Sequence, residues 1–178
     1  MPNADILEFL FATVATIVAT VTGLIGAFAT FRLQNISSEI GFLKGFVLAK
    51  KVTETKTLND YIKGEDYHLL EKIYDRNLEG ILLLENIVSK HNLHRYLDEL
   101  KFDLQNIRHN QIQYDTIKKM TIRSFGLSLC FVFANLILLL LTIEILKLPH
   151  FYVWFILYFS VIATIFFQFV RQVKMLIQ

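Results

Sequence analysis

The sequence predicts an all-α membrane protein, with three transmembrane helices and a helical region inserted between the first and second. Hydrophobic residues make up 54% of the 178 residues and charged residues only 19%, a balance typical of chains that place much of their length in lipid. Three long apolar runs occupy residues 6–31, 124–146 and 151–170. Each has about the 20 residues that a helix needs to cross ~30 Å of hydrocarbon.

The first run, 6–31, carries small residues at spacings of four and three, and no charge lies between Glu8 and Arg32. We call this set the small-residue seam: Ala12, Thr16, Ala19, Gly23, Gly26 and Thr30. Small side chains allow two backbones to approach closely, which is how helices associate in lipid. The seam therefore predicts a helix-packing surface.

A second reading of this helix remains open, because Thr13, Thr20 and Ala27 lie beside the seam. A face of small and hydroxylated residues can also line an aqueous pore. Three helices cannot enclose a water-filled channel, so the pore reading requires several copies of the chain.

The flanking charges predict that the N-terminus faces out and the C-terminus faces in. No Lys or Arg precedes Arg32, so a cleaved signal peptide is not expected. Of 18 basic residues, 15 lie from Arg32 to Arg123 and two in the C-terminal tail, whereas Lys147 alone falls on the other side. Basic residues are retained on the cytoplasmic side, which makes the insert, residues 34–121, cytosolic.

The insert has no Pro and only four Gly in 88 residues, which favours folded helices over a linker. We expect residues 34–51 to continue the first span or to bend along the membrane surface, 53–64 to form a connector with a short helix, and 65–91 to form one helix. A last helix begins near Leu93 and runs into the second span, giving an antiparallel hairpin with 65–91. The insert has 13 basic and 13 acidic residues, and this balance argues against nucleic acid as a partner.

The last helix of the insert shows apolar residues at alternating spacings of four and three, with one polar member. The coiled-coil seam consists of Leu93, Leu97, Leu100, Leu104, Ile107, Gln111 and Tyr114. A single buried polar residue can fix the register or copy number of a coiled coil. Because one hairpin has little interior, we expect this seam to hold several copies of the chain together.

Polar residues inside the other two spans form stripes: Ser124, Ser128, Asn135 and Thr142 in the second, and Ser160, Thr164, Gln168 and Arg171 in the third. Polar groups in lipid are costly, so they usually face protein or water. The favoured interpretation is that the stripes hydrogen-bond to one another within a three-helix bundle. The alternative is that a polar side lines a pore.

Charges cluster at both ends of the spans. Asp5, Glu8 and Glu144 belong to the outer end, where a ring of carboxylates would favour cations, although Glu144 can simply pair with Lys147. A basic collar belongs to the inner end: Arg32, Lys118, Lys119, Arg123, Arg171 and Lys174. Contact with anionic lipid heads is the favoured role for the collar, and an anionic small-molecule signal is the alternative.

The sequence has no phosphate-binding Gly loop, nucleophile elbow or catalytic carboxylate pair, so we expect neither an enzyme nor a cofactor. His91, His94 and Asp98 have spacings compatible with a metal, but Asn92 is a good helix cap and would break the helix between the two histidines. We favour polar residues at a helix junction and no metal. Cys130, the single cysteine, excludes an intramolecular disulfide.

The first span ends in GLIGAFATFRLQ, residues 23–34, and a helical insert and two closing spans follow it. In this architecture the chain resembles small prokaryotic membrane effectors of anti-phage systems. That resemblance implies an inner-membrane pore opened by a partner protein. From the residues, two functions stay open: a homo-oligomeric channel gated by its insert, or a membrane-anchored sensor or scaffold that recruits a cytosolic protein. A transporter is less favoured, because no Pro breaks a span and no acid lies near mid-bilayer.

Overall fold

A computed structural model describes residues 2–51, 53–65, 67–75, 78–90, 97–147 and 151–177. The described chain is almost entirely helical. Its helices are α1 (Pro2–Leu48), α2 (Leu58–Glu65), α3 (Tyr67–Tyr74), α4 (Leu78–Lys90), α5 (Leu97–Leu140), α6 (Thr142–Leu146) and α7 (Phe151–Ile177). Helices α1, α5 and α7 are each long and apolar enough to cross a membrane, which confirms the three predicted spans as candidate membrane helices.

The chain divides into two compact units. The apolar unit contains residues 1–31 and 117–178, and the inserted unit contains residues 32–116. Helices α1 and α5 continue without interruption from one unit into the other. The expectation that residues 34–51 extend the first span holds as far as Leu48, where α1 ends, and α5 enters the second predicted span as expected.

The core of the apolar unit is formed by α1, α5 and α7, which contribute large side chains to one cluster: Val18, Ile25, Phe131, Ile165 and Phe169. The second span is predicted as one helix over residues 124–146. In the structure α5 ends at Leu140, and a separate helix of five residues, α6, follows it. At this interruption the Thr142 hydroxyl donates to the Leu139 carbonyl at 2.9 Å. That bond satisfies a carbonyl that the ended helix leaves free.

The inserted unit packs the last part of α1 against helices α2 to α5. Its buried side chains include Ile36, Ile40 and Val47 of α1, Leu58 and Ile62 of α2, Ile73 of α3, Ile81 and Leu84 of α4, and Leu100 and Ile107 of α5. An ion pair of 4.0 Å joins Arg108 of α5 to Glu85 of α4. The core of this unit is therefore built from all five helices.

The prediction of one helix over 65–91 is wrong, because α3 ends at Tyr74 and α4 begins at Leu78. Lys44, buried on α1, donates a hydrogen bond of 2.8 Å from its Nζ to the Asp75 carbonyl at the end of α3. The bond occupies a carbonyl acceptor at the point where α3 terminates. Burial lowers the pKa of Lys44, and the nearby Asp75 charge opposes that shift.

The connector between α1 and α2 ends in a capping box that the sequence analysis did not identify. The Thr57 hydroxyl donates to Asp60 Oδ2 at 2.7 Å and accepts from the Asp60 backbone N–H at 3.2 Å. The Thr57 backbone N–H also donates to Asp60 Oδ2, at 3.1 Å. This reciprocal pattern fixes the start of α2, and its signal was a Thr three residues before an acid.

The coiled-coil seam of α5 lies inside the unit rather than on its surface. Leu100, Leu104, Ile107 and Gln111 are buried and Tyr114 is half-buried, while Leu93 lies outside the described residues. The expectation that this seam holds several copies together is corrected, since the side chains are already covered within one chain. The reason is that α1, α2 and α3 add apolar surface that a two-helix hairpin lacks. Gln111 Nε2 reaches Asp115 Oδ1 at 3.3 Å on the same helix.

Candidate functional site

The small-residue seam lies on the outside of the apolar unit. Its members are exposed except for Gly26, which is half-buried. The buried face of α1 is a different one: Ala4, Leu7, Phe11, Ala15, Val18, Thr22, Ile25 and Ala29. At about 100° per residue, the seam is centred roughly a third of a turn from this buried face. The seam is thus not what packs α1 against α5 and α7.

The two seam glycines have free space around them in the single chain. A Cβ built on Gly23 or Gly26 meets nothing within 4 Å. Close approach within one chain therefore does not require glycine at either position.

The seam hydroxyls are satisfied by their own helix. Thr16 donates to the Ala12 carbonyl at 2.9 Å, and Thr30 donates to the Gly26 carbonyl at 2.9 Å. Beside the seam, Thr20 donates to the Thr16 carbonyl at 2.8 Å. Such bonds to the preceding turn let Thr face an apolar environment at little cost, and each oxygen keeps a lone pair for water or another helix. Thr13 is half-buried and Ala27 is exposed.

The polar stripe of the second span faces the interior. Ser128, Asn135 and Thr142 are buried, whereas Ser124 is half-buried. Asn135 donates from Nδ2 to the Phe131 carbonyl at 2.8 Å, and its Oδ1 accepts from the Tyr158 hydroxyl at 2.6 Å. The favoured interpretation predicts that the stripes bond to one another, whereas Asn135 bonds to Tyr158, which is not a member of the α7 stripe.

The polar stripe of the third span faces outward, contrary to that interpretation. Ser160 and Thr164 are exposed and Gln168 is half-buried, and the two hydroxyls donate to carbonyls of α7 itself at 2.9 Å. The α7 residues that bond to α5 are Tyr158 and Gln172, whose Nε2 donates to the Thr121 hydroxyl at 3.1 Å. Sequence reasoning missed both. For Tyr158 the available signal was a phenol about three turns from the nearest charged residue, where its hydroxyl needs a partner, whereas Gln172 lies beside Arg171 and gave no such signal.

Aromatic contacts link all three helices at Tyr158. Its ring lies 5.3 Å from that of Phe11 in an edge-to-face arrangement and 6.1 Å from that of Phe131 in a stacked one. Offset and edge-to-face pairs are the favoured geometries of aromatic rings. Tyr158 therefore connects α1, α5 and α7 with its ring while its hydroxyl bonds to Asn135.

The two ends of the apolar unit differ in charge. At one end Glu144 Oε1 accepts from Lys147 Nζ at 3.0 Å, which confirms the expected pair. Asp5 and Glu8, near the start of α1, are exposed. At the other end the exposed cations of α5 and α7 belong to the basic collar: Lys118, Lys119, Arg123, Arg171 and Lys174. The Thr121–Gln172 bond brings these two groups to the same end, while Arg32 belongs to the inserted unit.

Groups suited to metal chemistry are not clustered in the described part of the chain, where no three His, Cys, Asp or Glu residues come together. His91 and His94 of the predicted junction lie outside the described residues. Cys130 is exposed on α5 and carries a free thiol.

Comparison with known proteins identifies no family for this chain. No family model, curated protein or solved structure is significantly similar to the chain. The proposed function therefore depends on which residues of α1, α5 and α7 are buried and which are exposed.

Proposed function

We propose that this chain is the subunit of a homo-oligomeric channel or pore-forming effector in a membrane, gated by its inserted unit. One observation carries the proposal: the small-residue seam is exposed on the single chain. In lipid, where there is no hydrophobic drive between helices, a surface of Gly, Ala and Thr gives the close contact on which helix association depends. A second copy is the simplest structure that uses it.

The pore belongs between copies rather than inside one chain. The interior of the apolar unit is packed with the Val18, Ile25 and Phe169 cluster, and the buried amides of Asn135 and Gln172 are bonded to neighbouring helices. Around a shared axis, α1 offers the hydroxyls of Thr16, Thr20 and Thr30 along one flank. Each has its proton engaged with its own helix and a lone pair free for water or a cation.

The outward stripe of α7 gives a second reason for assembly. Gln168 is half-buried and carries an amide on an apolar helix, where contact of a polar group with hydrocarbon is costly. Contact with a neighbouring copy, or with water at a pore, removes that cost. Ser160 and Thr164 on the same side bond to their own helix and impose no such demand.

The charge distribution supports an orientation with the N-terminus out, the C-terminus in and the inserted unit in the cytosol. The basic collar then contacts the anionic lipid of the inner leaflet, at ~1 kcal/mol per residue. Asp5, Glu8 and Glu144 fall at the outer mouth, where a ring of copies concentrates cations. On the resemblance to anti-phage effectors, the proposed location of such a pore is a prokaryotic plasma membrane.

Gating is proposed to follow the two continuous helices. Because α1 and α5 both pass from the inserted unit into the apolar unit, a shift of either helix in the cytosol moves a membrane helix. A cytosolic protein, or an anionic small molecule held by the basic collar, is the proposed signal.

The test is flux through liposomes that contain the purified protein. Gly23→Leu or Gly26→Leu is expected to abolish ion flux or to lower the copy number, because a large side chain separates the seams. Gly126→Leu is the matched control, since a Cβ there also meets nothing within 4 Å but the residue lies on α5. If neither seam variant alters flux or copy number, or if wild-type liposomes stay sealed with every signal tested, the proposal fails.

The second candidate is a membrane-anchored sensor or scaffold, and exposed apolar side chains of the inserted unit favour it. Phe42, Phe102 and Ile112 are exposed on this unit, where a partner protein can cover them. Leu104 is buried, so Phe102→Asp is a cleaner probe than a substitution in the coiled-coil seam. Loss of a co-purifying protein in Phe102→Asp, with unchanged behaviour of Gly23→Leu, supports the scaffold.

A further inference from the structure

A groove of about 410 Å³ opens on the side of the apolar unit between its three long helices. Leu7 and Phe11 of α1 form one wall, Leu138 of α5 the second, and Trp154 and Tyr158 of α7 the third. Ile145 of α6 also lines the groove. Volumes of roughly 300–1,000 Å³ are usual for sites that hold a small ligand.

The walls of the groove are almost entirely apolar. Their polar side-chain groups are the amide of Asn135 and the hydroxyl of Tyr158, which are bonded to each other at 2.6 Å, and the indole N–H of Trp154 at the exposed edge. Asn135 Nδ2 is also engaged, with the Phe131 carbonyl at 2.8 Å. An occupant held by hydrogen bonds or charge is therefore disfavoured, and a hydrocarbon is favoured.

The mouth of the groove faces the surroundings of the helices. Trp154, Leu157 and Val161 line it and are exposed. Because α1, α5 and α7 are long and apolar enough to cross a membrane, those surroundings are acyl chains. Water is excluded from such an environment, and an empty groove would leave its walls without contacts on one side.

The groove is also placed apart from the surface that we assign to assembly. It lies along the buried face of α1, at Leu7 and Phe11, whereas the small-residue seam lies about a third of a turn away. A neighbouring copy that contacts the seam therefore leaves the groove open to lipid.

We propose that this groove is a binding site for one acyl chain of a membrane phospholipid, which inserts between α1, α5 and α7 and packs on the Tyr158 ring. The inference rests on the apolar unit lying in a bilayer and is independent of conduction.

Trp154 makes the site directly observable, because it is the single tryptophan of the chain and lines the groove. Full-length protein in detergent is titrated with phosphatidylcholine brominated on its acyl chains, which quenches tryptophan fluorescence on contact. We expect quenching that saturates at one lipid per chain, above a shallow linear background from lipid dissolved in the micelle.

Two filling variants test the assignment from different walls. Ala134→Phe on α5 and Val161→Phe on α7 place a ring at the groove and are expected to abolish the saturating phase. Ala163→Phe is the control with the same added volume, since Ala163 is exposed on the opposite side of α7 and does not line the groove. Circular dichroism and gel filtration select the filling variant that keeps the wild-type fold, so one well-folded variant suffices.

Retention of the saturating phase in a folded filling variant overturns the proposal, as does purely linear quenching of the wild type. If quenching is absent and Ala134→Phe lowers the copy number, a second copy occupies the groove instead. Flux is not read in this experiment, so its outcome and that of the pore proposal are separable.

Discussion

At the scale of single residues, Tyr158 connects the three long helices of the apolar unit. Its ring meets Phe11 and Phe131, and its hydroxyl donates to Asn135 Oδ1 at 2.6 Å. Hydrogen bonds between membrane helices contribute ~0.6 kcal/mol on average and up to ~1.7 kcal/mol, so packing of the ring is expected to matter at least as much as the hydroxyl.

Tyr158→Phe is expected to lower the free energy of unfolding in detergent by about 0.6–1.7 kcal/mol, because the ring stays and only the hydroxyl bond is lost. The readout is unfolding by a denaturing detergent. Combining Tyr158→Phe with Asn135→Leu should recover part of the loss, since the double variant leaves no buried amide oxygen without its donor. A double variant whose loss equals the sum of the two single losses would contradict a direct bond.

Thr57 and Asp60 give a residue-scale prediction on pH. Hydrogen bonds from the Thr57 hydroxyl and backbone N–H lower the pKa of Asp60 below 3.8, so the carboxylate stabilises α2 above its unfolded pKa. That stabilisation is lost as the pH falls through the lowered value. Thr57→Ala is expected to raise the pKa of Asp60 in an NMR titration, while Thr55→Ala leaves it unchanged. An unaltered Asp60 pKa in Thr57→Ala would show that the side-chain bond is not its main cause.

At the scale of elements, α1 carries three surfaces with different roles. One face of its first half fills the core of the apolar unit, the small-residue seam lies outside, and the last turns supply Ile36, Ile40 and Lys44 to the inserted unit. Different parts of α1 therefore contribute to the core of each unit.

Lys44→Ala tests how α1 and α3 are joined within the inserted unit. Removing the bond from Nζ to the Asp75 carbonyl is expected to destabilise this unit by about 1.5–3 kcal/mol, the range for a hydrogen bond to a charged group. Hydrogen exchange of α3 amides is the measurement, with Lys72→Ala on the exposed side as control.

The same residue sets a pH dependence. Because burial lowers the pKa of Lys44 below 10.5, the unfolded chain binds the proton more tightly, and the wild-type unit gains stability as the pH rises from the lowered pKa to 10.5. This gain should vanish in Lys44→Ala. Equal alkaline profiles in both proteins would show that Lys44 titrates as it does in the unfolded chain.

At the scale of the whole molecule, the charge distribution predicts the orientation of the chain in the membrane. In a Cys130→Ser background, Asp5→Cys should react with a membrane-impermeant thiol reagent in intact cells. Lys174→Cys should react only after the membrane is opened. The opposite pattern would reverse the proposed topology and move the basic collar to the outer face.

The sequence alone determined the three membrane helices, their order and the helical insert, because length and hydropathy decide whether a segment can satisfy its backbone in lipid. It also determined that α1 and α5 run unbroken out of the spans, since no Pro interrupts either. It did not determine the break between α3 and α4, where Lys44, distant in sequence, bonds to the Asp75 carbonyl. Nor did it determine the end of α5 at Leu140, where the Thr142 hydroxyl bonds to the Leu139 carbonyl.

Only the tertiary structure decided which face of each helix is inside. On α1 the small-residue seam and the Phe11, Val18 and Ile25 face have similar periodicity, so the pattern could not rank them. Because the larger side chains make more contacts in the space between the three helices, they occupy the interior. The seam was thereby left outside, where we propose that it contacts another copy of the chain.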